Sequence, residues 1–227
     1  MTFTRNGFTG LSLWLSLGGL CGQPPDTGLK IEVHIYNYAG VSPEMLVRAE
    51  QEAARIFDRI GVATTWPDCP TSQEAIRNSA CALTNAPTRF VLRLLPDSMA
   101  TSLGVGGDIF GTAFIPTNEG FGVLANVYAG RARKLADRRE SEVILGWIIA
   151  HELGHLLLGE HGHSAAGIMH GRWRAQGLKP ARQAVMLFLP GEGKRIRMQV
   201  RARAAAAGSV LNPSLPAAPY PPCGPGW

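Results

Sequence analysis

The stretch Ser141-Glu142-Val143-Ile144-Leu145-Gly146-Trp147-Ile148-Ile149-Ala150-His151-Glu152-Leu153-Gly154-His155-Leu156-Leu157-Leu158 decides the fold of this chain. Apolar side chains at Val143, Ile144, Trp147, Ile148, Leu153, Leu156 and Leu157 surround a helix almost completely, and such a helix is buried at the centre of a fold. Yet it also carries His151, Glu152 and His155. Residues four apart on a helix lie nearly above one another, so the two imidazoles point the same way. Two histidines and a carboxyl group are costly to bury without a partner, and a metal ion supplies one. Imidazoles so placed can each reach one zinc ion (Zn2+) at about 2.0–2.1 Å. Glu152, next to the first histidine, can lean over the same space without ligating. There it can take a proton from water at the metal and later pass it to a leaving amine.

Beyond the motif, Gly159 is the expected helix terminator. A tetrahedral zinc site with one open position needs one more protein ligand, and His161 and His163 both follow the turn. Gly154 is expected to let another backbone pack close against the helix. Gly167-Ile168-Met169 comes next, and a buried Met there is by itself compatible with plain core filling. His170 could orient a substrate or sit on the surface. Glu160 could hydrogen-bond a ligand histidine or equally be a solvated loop residue.

These residues together resemble the metzincin arrangement of zinc peptidases, H-E-x-x-H-x-x-G-x-x-H with a later Met-turn. Counted from His151, the third histidine of that pattern falls on His161, but its glycine falls on Leu158 while the actual glycine is Gly159. A closer resemblance is to exported bacterial metzincin-like proteins that share H-E-[IL]-G-H-L-L-L-G-x-x-x-H-S-x-x-G-[IL]-M, and it spans most of residues 30–200. There the third histidine corresponds to His163. The resemblance implies a zincin-like fold, zinc on His151, His155 and His163, Glu152 as general base, Met169 in the Met-turn, and hydrolysis of peptide bonds in a peptide or protein substrate. The alternative is an inactive zincin-like module that keeps zinc and serves in binding or adhesion. Intact Glu152 argues against it. A deformylase-type hydrolase is disfavoured by export and by the His161/His163 region.

Upstream, Lys30–Tyr36 alternates apolar and polar residues, as a half-buried strand does. Ser42-Pro43-Glu44 opens a helix with a plausible N-cap and a proline at its first position. Met45, Leu46, Ala49, Ala53, Ile56, Phe57 and Ile60 continue it at helical spacing, and Gly61 ends it. Val62–Trp66, Phe90–Leu95 and Gly122–Tyr128 are strand candidates, and Gly104–Ile115 reads as one or two short edge strands with loops. The segment 173–189 suggests loop and short helix, and Gly191–Ala207 a basic helix. Strands and helices are grouped rather than strictly alternating, so the fold class is α+β: a small mixed sheet, a buried active-site helix and a partly helical C-terminal part.

The 227 residues, 45% of them hydrophobic, suit one domain with appendages. A net charge of +5 is modest and sits mainly in Arg131–Arg139 and Lys194–Arg203. With no aromatic-interleaved basic stripe, this predicts solvated helix faces and no nucleic-acid partner. Residues 1–25 carry a weakly basic start, a short apolar core from Phe8 to Leu20 and a Pro-Pro break. They read as a signal peptide, too short for a stable membrane span. The location expected is secreted or periplasmic, with a lipoprotein anchor at Cys21 as a variant disfavoured by Leu20. Cys69 and Cys81 flank a turn-rich segment that an oxidising compartment would let them close as a disulfide. Cys223 is the odd one out. Residues 26–206 then form the zincin-like catalytic domain, expected to be a monomer. The Pro/Ala/Gly-rich residues 207–227 form a tail unable to bury enough apolar surface to fold.

Overall fold

The computed structural model describes residues 28–77, 79–81, 86–117, 120–135, 138–159, 162–171 and 186–211. The expected signal peptide with Cys21, the segment 172–185, Glu160, His161 and residues 212–227 with Cys223 lie outside the described residues. In chain order the elements are β1 (Leu29–Asn37), α1 (Pro43–Asp58), β2 (Val62–Thr65), β3 (Asp68–Cys69), α2 (Gln73–Arg77), β4 (Arg89–Leu95), α3 (Asp97–Ser102), β5 (Gly111–Phe114), β6 (Leu124–Tyr128), α4 (Ala129–Leu135), α5 (Arg138–Leu158) and α6 (Pro190–Leu211). The class is α+β, as the grouping of elements predicts.

One six-stranded sheet runs in the order β2-β1-β4-β6-β5, with β3 also paired to β1. All pairings are parallel except that of β5, which lies antiparallel to β6 at the edge. One face of the sheet presents Ile31, Val33 and Ile35, then Phe90, Leu92 and Leu94, then Ala125 and Val127. Helices α1 and α5 cover that face with Ala53, Ile56, Phe57, Ile144, Leu145 and Ile148, so the motif-bearing helix sits in the core. Helix α1 begins as its sequence predicts: the Ser42 side chain accepts a hydrogen bond from Met45 N at 3.4 Å. Gly61, with φ 71°, turns the chain into β2. Glu52 of α1 is buried, yet satisfied: it accepts from Trp147 Nε1 of α5 at 2.7 Å and from Arg55 at 2.8 Å. By length and composition the span Glu140–Leu158 could cross a membrane, but 78% of it is buried inside the protein, which is how a core helix passes that test.

Three expectations need correction. The first strand is not half-buried throughout, because His34 and Tyr36 on its far face are buried as well. The disulfide Cys69–Cys81 lies over that face, where Tyr36 Oη donates to Cys81 O at 2.9 Å. Gly104–Ile115 holds one short edge strand, Gly111–Phe114, with loops around it, as expected. The preceding carbonyls of Val105, Gly106 and Ile109 are taken by the Arg131 guanidinium, which removes them from any ladder. The two basic clusters are not simply solvated faces either, since Arg131 and Arg203 point inward and are buried. Finally, α6 continues through Leu211, past Ala207, the expected end of the basic helix.

Arg203 is fully buried, sandwiched between the rings of Phe90 and Phe121. It donates to the carbonyls of Pro87 at 2.9 Å, Gly122 at 3.0 Å and Leu156 at 2.6 Å. Leu156 is in the last turn of α5, where carbonyls have no partner within the helix. A side chain of α6 thus closes off the end of the motif helix. Burial holds the guanidinium down at about 10, still a cation at neutral pH.

Candidate metal centre

His151, Glu152 and His155 lie on α5, and Gly159 ends the helix as expected, with φ 83° and its N–H on His155 O at 2.9 Å. The chain then returns along the same side. Ser164 N donates to Met169 O at 2.9 Å, and Ile168 N to Leu187 O at 2.9 Å, which fixes the Gly167-Ile168-Met169 turn. This return brings His163 back over the helix. Its Nε2 stands 3.1 Å from His155 Nε2, which is itself 3.0 Å from His151 Nε2. One ring nitrogen from each of the three histidines lies within 4.8 Å of the others.

The hydrogen bonds of these rings decide what the cluster can hold. His151 Nδ1 is 2.7 Å from Ile168 O, so its proton resides there and Nε2 presents a lone pair. His155 likewise hydrogen-bonds the backbone at Gly159. Lone pairs facing one another at this range repel unless a cation lies between them. Two nitrogens bound tetrahedrally at zinc distances stand about 3.3 Å apart, close to the spacings observed. Burial, reinforced by the neighbouring rings, pulls His151 down to about 3 and His155 down to about 4, so both stay neutral and able to ligate. The residues present fit a zinc ion. The carbonyl of Ile168 sets the His151 ring, a role that sequence reasoning did not assign.

Glu152 is 5% exposed, and its side chain faces β5 rather than joining the histidine cluster. A Cβ at Gly111 would stand 2.5 Å from Glu152 Cγ, so that glycine makes room for the carboxyl group. Burial raises the acid to about 8. A nearby dication favours the carboxylate. Met169 is fully buried, and its Sδ fills the notch left by Gly154. The close neighbours at Gly154 are therefore the side chains of Met169 and Phe188, not the second backbone expected. The cluster opens into a cavity of about 770 Å³, whose far wall includes Asp108, Phe110 and Thr112 and which His170 also lines. His34 is not part of it and sits across the sheet beside Cys69 and Cys81.

No family model matches the chain, and no curated protein sequence matches it. Among solved structures the chain is similar to an archaemetzincin from Methanopyrus kandleri: 14% identical, TM-score 0.48, with 77% of this chain and 98% of that chain covered.

Proposed function

We propose that this protein is an exported zinc-dependent endopeptidase of metzincin-like type, with His151, His155 and His163 as metal ligands and Glu152 as general base. The observation that carries the reading is the convergence of three Nε2 atoms beside a buried carboxyl group that faces an open cavity. When bound there, zinc acidifies water and polarises the scissile carbonyl. The chain supplies the rest. Glu152 takes the proton of the attacking water and delivers it to the leaving amine, and its burial keeps it a strong enough base for the first step. Strand β5 pairs with β6 alone among the described residues, and its other edge borders the cavity, so an extended peptide can add to it. Between the two candidate third ligands, the 3.1 Å separation supports His163. The disulfide supports export to an oxidising compartment.

Metal analysis combined with a peptide-library cleavage assay tests this. Glu152→Ala is expected to keep its zinc and lose about 10²–10⁴-fold in rate. His163→Ala is expected to lose zinc, whereas His161→Ala keeps it. Cleavage by Glu152→Ala at the parent rate would sink the mechanism and leave an inactive zinc module as the better reading.

A further inference from the structure

The sheet face opposite α1 and α5 gathers a second set of donor atoms for which peptide hydrolysis has no use. His34 on β1, Cys69 on β3 and Cys81 after α2 are 2%, 8% and 5% exposed. A ring nitrogen of His34 and the two sulfurs lie within 4.8 Å of one another. The sulfurs are joined as a disulfide, and a metal ligand must be a thiolate. The histidine, however, is already set as a ligand would be. Its Nε2 is hydrogen-bonded to the Glu32 carboxylate, and Glu32 is held by Arg89 Nε at 3.0 Å. A carboxylate that accepts a hydrogen bond from one ring N–H leaves the lone pair on the other nitrogen, the arrangement that orients metal-bound histidines. His34 and Cys81 also line a cavity of about 450 Å³, which gives an ion a way in and a fourth ligand, such as water, a place. Arg93 on the same wall disfavours a bare cation. The attraction must then come from the sulfurs themselves.

We propose that the Cys69–Cys81 disulfide is the closed form of a second metal site, opened by reduction, in which the thiolates of Cys69 and Cys81 and the imidazole of His34 bind a thiophilic divalent ion such as zinc. A dithiol reductant supplies two electrons and two protons and leaves as its own disulfide. The S–S bond breaks, two thiols form, and metal binding releases their protons to solvent. Two thiolates and one imidazole suit zinc or cobalt better than a hard oxygen-seeking cation. The site does not depend on the peptidase reading, and the cluster on α5 contains no sulfur.

The test uses the full chain with Cys21→Ser and Cys223→Ser, titrated with Co2+ before and after treatment with a phosphine reductant, which ends as phosphine oxide. A thiolate-to-cobalt charge-transfer band is expected only after reduction, together with one further equivalent of bound cobalt. Glu32→Gln, at a partly exposed position, is expected to weaken that equivalent about 10–100-fold, and His34→Gln at least about as much. No band from reduced protein would overturn the proposal, whether the chain stays folded by circular dichroism or unfolds. So would a band whose cobalt affinity is unchanged in both variants.

Discussion

Gly111→Ala puts the relation between the edge strand and the general base to the test. The added Cβ would fall 2.5 Å from Glu152 Cγ and 2.6 Å from both Cδ and Oε1. Carbon atoms in good contact stand about 3.5–4.0 Å apart, so roughly 1 Å must be yielded somewhere. Helix α5 cannot yield it, because Leu153 and Ile149 on either side of Glu152 are fully buried. The strand is tethered as well: Tyr128 N donates to Phe110 O at 2.9 Å, and Arg131 grips the carbonyls just upstream. The carboxyl group therefore moves. A misplacement of about 1 Å in a reacting group costs on the order of 10²-fold in rate. Overpacking adds a stability loss of about 1–3 kcal/mol. The assay is kcat on a cleaved peptide, with bound zinc and the urea midpoint measured on the same sample. Gly107→Ala is the control: its Cβ meets nothing within 4 Å, and it is expected to match the parent. A Gly111→Ala protein that holds zinc and cleaves at the parent rate would refute the placement of Glu152 against β5. A rate lost only in proportion to lost zinc would refute it equally.

Three other outcomes follow from packing and charge. Gly146→Ala sets a methyl 2.6 Å from Ala49 O where α1 crosses α5, and overpacking minus the gain in helix propensity leaves a net loss of about 1–2 kcal/mol by urea denaturation. Arg203→Met strips donors from three carbonyls and is expected to cost about 3–5 kcal/mol; Lys, a point charge without the planar fork, should not rescue it. Burial, with Asp68 nearby, raises Glu50 from 4.5 to about 7, and its Oε1 has no hydrogen-bond partner among the described residues. Because the folded value lies above the unfolded one, this stability is present below pH 4.5 and is lost as pH rises through 7. Glu50→Gln should flatten that decline, by about 1–2 kcal/mol once screening at this half-exposed position is allowed for, in thermal melts across pH 4–8.

Much of this was legible from periodicity. The α1 cap, the all-round apolar pattern of α5 and the stop at Gly159 follow from local rules that tertiary packing did not override. Four-residue spacing aligned His151 with His155 in the same way. What could not be read were contacts between segments far apart in sequence. Nothing local to Gly111 signals a glutamate 41 positions later, and Ile168 O is a backbone atom with no sequence signature. Arg203 had a faint signal, since Ile196, Val200 and Arg203 follow helical spacing and the first two are buried. Reading basic residues as solvated by default hid it. His34 gives no local signal either, because Cys69 reaches it only through the parallel pairing of β3 with β1, and Cys81 only through its disulfide to Cys69.

The tie from Arg203 to the last turn of α5 also has a consequence in time. A ribosome delivers the chain N-terminus first, and Arg203 is made roughly fifty residues after His155, about 3–10 s later at 5–20 residues per second. Throughout that interval the histidines exist while the clamp on their helix does not. Whatever chemistry the cluster performs, the nascent chain cannot hold it in finished form until α6 has been made and has docked.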